Sequence, residues 1–447
     1  MLAAMVAVLA LVMTVPALAV PANPRPRVFK QPDGSVFQGR FIGDEHYSFA
    51  VTSDGFTAVK NPGTDYWCYA FKKDGLLIPS GYIVGRDECP YPRNQRPDAG
   101  AIAALPQNRF KMINVAPETR QRWSWDALYG FGGTRDNPTK APTGIKYINI
   151  LLGNFTDSTF AMFASKPTHP WDPFPPDLYR RMLFLVMGDR DSAKPVIHDS
   201  TTVGSLSNFY WEMTYNACWF GATSTGGYRG VDTVRNSGYT WANANSSTTN
   251  YFTACMNAAD PYVNFSDPGG GQANLIVIHP GPGEEESQRT GDIWSASWTG
   301  NFGTYDGVSI TKIIGCPQNG QLGVFAHEMF HQLGAPDLYD YGYSGDPHGY
   351  WSLMDFGSSN GFEIGGDAPA FGGGHLMYDI DGNLTNGIDG WISGARTDSI
   401  SSAKGGDGKY YVAALDSCGE ARRGNPTSGV RVWRIRNGNF RDSGQVW

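Results

Sequence analysis

Residues 327–337 read HEMFHQLGAPD, placing two of the chain's eight histidines four positions apart. In an α-helix each residue advances about 100°, so positions i and i+4 lie about 40° apart and project from one face. His327 and His331 could therefore grip one ion, and neutral imidazoles suit zinc. Glu328, between them, would touch a water beside the ion rather than the ion itself, which is the place of a general base. A catalytic site of this kind takes a third protein ligand and leaves one position open. Gly334 tolerates positive φ and Pro336 does not continue a helix, so the chain can turn after His331 and bring Asp337 back towards the two rings. Asp340 is the rival carboxylate. Met354, in GYWSLMDFG, could lie beneath a histidine-held metal as a Met-turn. The chemistry open to such a set is hydrolysis by an activated water.

Several elements must carry these residues. QLGVFAHEMFHQLG reads as the site helix. GIKYINILLGNF and ANLIVIHPG are apolar runs ended by Gly or Pro, the pattern of buried strands. VSITKII (308–314) is β-branched and is expected to be an edge strand, to which an extended peptide could add. GSLSNFYWEMTYNACWF (204–220) is expected to be a helix capped by Ser205 or Ser207, with Glu212 on its polar face. Alternating helices and strands make this an α/β region. Before it, SVFQGRF, HYSFAV and FTAV alternate between DG and GD turns, the grammar of a small β-rich module. After it, GKYYVAAL and GVRVWRI read as strands of a further β-rich module.

The composition limits the alternatives. The net charge of −7, with no long basic run, argues against nucleic acid as a partner. The 56 glycines and 29 prolines put much of the chain in loops. MLAAMVAVLALVMTVPALA lacks charge, is short for a membrane span and ends in an A-x-A-like signature, so we read residues 1–19 as a secretory signal cut after Ala19. Six cysteines without a CxxC in an exported chain suggest disulfides, with Cys68–Cys89 and Cys218–Cys255 the pairings expected from proximity. His279 reads as a structural hydrogen-bonding residue and Glu284–Glu286 as a solvated loop. The carboxylate-rich stretches 339–346 and 379–383 are candidates for a structural calcium ion.

HEMFHQLGAPDLYD followed by GYWSLMDFG resembles the secreted metallopeptidases of the immune inhibitor A type. KQPDGSVFQGRFIGDEHYSFAVTSDGF is similar to the family's propeptide. GSLSNFYWEMTYNACWFG and LIVIHPGPGEEES…DIWSASW are similar to segments of its catalytic domain. The resemblance implies an α/β (α+β) metzincin-like catalytic domain over 111–395. A β-rich propeptide (20–110) would precede it, and the start of a β-rich carboxy-terminal module (396–447) would follow. It implies zinc held by His327, His331 and Asp337, with Glu328 as general base, and often structural calcium. The implied product is a secreted endopeptidase made as a latent precursor, monomeric, acting on protein or peptide substrates and not inserted in a membrane. Asp44, in FIGD, is a candidate latency residue because astacin-like metzincins present a similar aspartate to the metal. One departure concerns the tyrosine that many metzincins carry after the Met-turn. Phe356 stands there, which leaves Tyr350 or Tyr378 as candidate oxyanion donors. Two other readings are a gluzincin using Glu363 and a secreted adhesin with a closed structural zinc site.

Overall fold

The computed structural model describes residues 17–45, 47–105, 144–160, 176–184, 205–214, 218–222, 231–234, 236–289, 291–333, 335, 337–343, 349–361, 369, 409–413 and 432–436. The amino-terminal part is a six-stranded sheet in chain order: Arg27–Lys30 (β2), Val36–Gly43 (β3), Ser48–Thr52 (β4), Thr57–Lys60 (β5), Trp67–Lys73 (β6) and Leu76–Ile83 (β7). Every neighbouring pair is antiparallel. Asp-Gly dipeptides set three of its turns, at residues 33–34, 54–55 and 74–75. Asp74 and Gly75 both take positive φ, 51° and 80°, which is the backbone of a tight hairpin between β6 and β7. Alternate residues of β3 are buried, and Phe29, Phe37, Phe41 and Trp67 form an aromatic cluster on one face.

A seven-stranded mixed sheet forms the second part. Its order is Ala17–Ala19 (β1), Ala296–Thr299 (β12), Lys312–Pro317 (β15), Asn274–His279 (β11), Gly144–Gly153 (β8) and Val231–Val234 (β10), with Cys218–Ala222 (β9) also paired to β8. β8, β9, β10, β11 and β15 pair in parallel, whereas β12 runs antiparallel to β15 and β1 antiparallel to β12. Both faces of the parallel strands are covered, which is why they read as unbroken apolar runs. In β11, Ile276 and Ile278 enter one core with the helices 176–184, 206–213 and 322–332. Leu275 and Val277 enter the opposite core with the helix Thr248–Ala259. The result is a helix–sheet–helix sandwich, a mixed α/β architecture. Two small antiparallel pairs lie outside these sheets: Thr304–Tyr305 (β13) with Val308–Ser309 (β14), and Lys409–Ala413 (β16) with Val432–Arg436 (β17).

Four expectations need correction. VSITKII is not an edge strand. Its first residues make the β13–β14 hairpin, and its last begin β15, which lies between β11 and β12. ASWT, β12, lies next to β15, and β1 is the outer strand on that side. The helix expected over 204–220 ends at Met213, and CWF belongs to β9. Ser205 does cap it, since its Oγ accepts the Asn208 N–H at 3.1 Å. The run Glu284–Glu286 is not solvated. It lies in a short helix, Glu285 is buried, and its carboxylate accepts both the hydroxyl and the backbone N–H of Ser295.

The fourth correction concerns the disulfides, because all five described cysteines are free thiols. Cys218 and Cys255 sit in the two cores on opposite faces of the sheet. Cys68 alternates with Trp67 and Tyr69, whose face is the one Cys89 packs against.

The two parts share a cluster in which Phe41 packs 6.2 Å from Trp294, just ahead of β12. Among the described residues, no helix is long and apolar enough to cross a membrane. Packing beside β12 is tight. A Cβ on Gly315 of β15 would stand 2.5 Å from the Phe252 ring and 2.7 Å from that of Trp298. Gly315→Ala should therefore lower stability by about 1–3 kcal/mol in urea unfolding. An unchanged midpoint would contradict this packing.

Candidate metal centre

Helix Leu322–Gln332 is buried along its whole length. It packs between the sheet and the helix Leu206–Met213, whose Tyr210 hydroxyl donates to the Ala326 carbonyl at 2.8 Å. Gln332 donates to Ser297 on β12 at 2.7 Å, and the Lys312 ammonium reaches the Gln332 carbonyl at 3.1 Å, where a cation suits the helix end. The helix closes when the Ala335 N–H bonds back to the Phe330 carbonyl at 3.0 Å. Beyond that turn Asp337 faces the two histidines.

His327 Nε2 and His331 Nε2 stand 3.1 Å apart, and Asp337 Oδ1 lies 3.0 and 3.2 Å from them. These residues form a buried group of metal-ligand type, and among the described residues there is no other of three or more. Each histidine's Nδ1 faces a backbone carbonyl, that of Leu353 at 2.8 Å and that of Ala335 at 2.7 Å. A carbonyl can only accept, so each Nδ1 carries the proton and each neutral ring turns an Nε2 lone pair inward. Asp337 Oδ2 is held by the Tyr341 hydroxyl at 3.0 Å, while Oδ1 has no hydrogen-bond donor. Three lone pairs thus meet where none has a proton to offer the others.

A single cation resolves that conflict. Ligands about 2.0 Å from a tetrahedral ion stand about 3.3 Å apart, close to the spacing here. Glu328 is fully buried beside the group, with Oε1 accepting the Val20 N–H at 2.8 Å and Oε2 unpartnered. Burial raises its pKa well above the carboxylate range, and the charge of Asp337 pushes the same way. For Asp337, burial works upward, and only positive charge and hydrogen bonds from protonated His331 and His327 would hold the carboxyl far below its usual range; with both rings neutral, a bound cation would have to supply that charge.

Comparison with known proteins bears on the same stretch. Residues 198–383 match the immune inhibitor A peptidase M6 catalytic domain. The chain is 36% identical over 126 residues to the pre-pro-metalloprotease PrtV of Vibrio cholerae serotype O1, covering 24% of this chain and 13% of that protein. It is 34% identical over 130 residues to immune inhibitor A of Bacillus thuringiensis subsp. alesti, covering 24% of this chain and 18% of that protein. The chain's match thus spans less than a fifth of the length of these relatives. Residues 198–383 carry a metallopeptidase domain of the immune inhibitor A type.

Within this peptidase domain the donor set fits the metal that the family implies: two imidazoles, one carboxylate and an orphaned oxygen aimed between them. The turn around Met354 holds two of the three grouped residues. The Leu353 carbonyl fixes His327, and the Met354 carbonyl accepts the N–H of Leu338, next to Asp337, at 2.7 Å. Met354 itself is buried in the core under the site helix. Asp340 is not in the group; its carboxylate accepts the Gly342 N–H in a local turn. Asp44 is buried near the site but is not one of the grouped ligands. It accepts the Tyr47 N–H at 3.1 Å and lies 3.5 Å from the Tyr339 hydroxyl. His279 is buried, with Nδ1 3.0 Å from the Pro280 carbonyl, and burial lowers its pKa to about 4. Tyr350 is partly exposed, at 41%. Tyr378, Glu363 and the stretch 379–383 lie outside the described residues, as does part of 339–346.

Sequence reasoning missed two neighbours of the site, Tyr339 and Trp294. Tyr339 lies two residues beyond Asp337 in the same PDLYD run, so proximity could have found it. Trp294 lies in the DIWSASW stretch that carries part of the family resemblance, but its contact with the Val20 carbonyl depends on the sheet order.

Ligand and base separate by substitution. Asp337→Ala should lower zinc affinity at least about tenfold in metal titration, whereas Glu328→Gln should keep the metal. Equal zinc affinity in Asp337→Ala and the parent would exclude Asp337 as a ligand. Acid provides a second test. Burial lowers the pKa of His327, so its ring stays neutral, and able to bind, as pH falls below the ordinary imidazole value of about 6.5. Zinc release on acidification should accordingly have its midpoint below about pH 6.5, and release above that value would contradict the burial argument.

Proposed function

We propose that the chain is a secreted zinc-dependent endopeptidase that hydrolyses peptide bonds of protein substrates and is made as a latent precursor. The observation that carries this reading is the convergence of His327, His331 and Asp337 beside the buried carboxylate of Glu328. A zinc ion held by those three residues would polarise the scissile carbonyl and lower the pKa of water at the open position.

The chain's own residues do the rest. Glu328, its Oε2 free of any donor, takes a proton from the attacking water and passes it to the leaving nitrogen. The carbon–nitrogen bond breaks, the water oxygen stays on the carbonyl carbon, and the proton ends on the amine. Burial of the site helix excludes bulk water and makes each of these contacts stronger.

Residues 20–110 act as the propeptide in this reading. Support comes from the cluster joining Phe41 to Trp294 beside β12 and from the placement of Asp44 near Tyr339. Residues 1–19 are the export signal, and 396–447 open a carboxy-terminal module.

Purified chain freed of residues 1–110 should digest casein, lose that activity on chelation and regain it on adding about one equivalent of zinc, whereas the uncleaved chain should be nearly inactive. Proteolysis that survives complete removal of zinc would overturn the mechanism.

A further inference from the structure

The cleft already contains a peptide, and it is the chain's own. β1 adds antiparallel to β12, with Ala17, Leu18 and Ala19 opposite Trp298, Ser297 and Ala296. At the end of that pairing the backbone passes Glu328. The N–H of Val20 donates to Glu328 Oε1 at 2.8 Å. One atom group earlier, the carbonyl of Ala19 accepts the Tyr339 hydroxyl at 3.2 Å. The Ala19–Val20 amide is therefore held at its nitrogen by the proposed general base and at its oxygen by a buried phenol. Beyond it, the Val20 carbonyl accepts the Trp294 indole N–H at 2.8 Å, and the Ala22 N–H bonds to Gly43.

The side chains are held as well. Ala19 is fully buried against Trp294 and Ala296, with room for a methyl group. Val20 is buried in the apolar core beneath the site helix and shares a narrow cavity with Pro317 and Val324.

We infer that a substrate binds in the register of residues 18–21, with Tyr339 donating to the scissile carbonyl, Glu328 facing the scissile nitrogen, a small residue before the bond and an aliphatic one after it. Tyr339 is then a catalytic residue and Trp294 a positioning residue for the substrate strand. This rests on the peptidase reading above. The segment also occupies the space a substrate needs. Removal of residues 1–19 would leave Val20 and Pro21 in place as a product-like plug.

The turnover test uses the chain activated by cleavage near residue 110, and three peptides with the cores Leu-Ala-Val-Ala, Leu-Trp-Val-Ala and Leu-Ala-Asp-Ala. The first should be cut between Ala and Val, and each replacement should lower kcat/KM at least about 100-fold. Tyr339→Phe should lower kcat by about 10²–10³-fold, with KM and zinc content little changed. Chelator-sensitive casein digestion together with equal cleavage of all three peptides, or with an unaltered kcat in Tyr339→Phe, would overturn the register while leaving the peptidase reading intact. A binding measurement decides the matter without turnover. In fluorescence anisotropy, labelled Leu-Ala-Val-Ala peptide should bind the Glu328→Gln/Val20→Asp chain at least about tenfold more tightly than the Glu328→Gln chain, because the charged residue expels the plug. Equal affinities would show that residues 18–21 do not occupy the substrate's place.

Discussion

Three electron pairs pointed at one another in a dry interior are the constraint on which the site depends. His327 Nε2, His331 Nε2 and Asp337 Oδ1 meet within 3.0–3.2 Å, each with its proton-bearing or second polar atom committed elsewhere. Unshared, such a cluster costs several kcal/mol, because buried acceptors without donors forfeit the hydrogen bonds water would give. The surrounding structure holds it in place. Leu353 and Ala335 carbonyls orient the rings, Tyr341 holds the second aspartate oxygen, and Met354 anchors the segment next to Asp337. A divalent ion turns that cost into binding energy, and metal affinity and folding are then linked.

The sheet sets where a peptide can lie. β12 reverses direction relative to the parallel strands, and the site helix is tied to it through Gln332 and Ser297. A strand added to β12 therefore passes the site helix at a fixed height and is read by Glu328 on one side and Tyr339 on the other. The amino-terminal sheet packs against the same edge through Phe41 and Trp294. The proposed catalytic register and the occupation of the cleft thus arise from one geometric fact, the pairing of β1 along the side of β12 away from β15.

Local features were legible in the sequence, and long-range ones were not. The shared face of His327 and His331 follows from helix geometry alone, and the return of Asp337 was expected from the residue types Gly334 and Pro336, so the site could be read from eleven residues. β8 and β11 announced themselves as apolar runs because both their faces are covered. VSITKII misled because β-branched residues suit a central strand as well as an edge, and only the pairing order decides between them. The disulfide expectation failed for a similar reason: proximity in sequence says nothing about which side of a sheet a cysteine faces, and Cys218 and Cys255 face opposite cores. Glu285 looked solvated because its partner, Ser295, lies beyond a turn. The plug was invisible to sequence reading, since residues that resemble a signal cleavage site gave no hint of a strand in the cleft.

The most direct test of the central claim is anomalous diffraction at the zinc edge from crystals of the purified chain. The account predicts one strong peak about 2.0–2.2 Å from His327 Nε2, His331 Nε2 and an Asp337 oxygen, with no fourth protein ligand. A zinc peak elsewhere, or one closed by a fourth side chain, would contradict it.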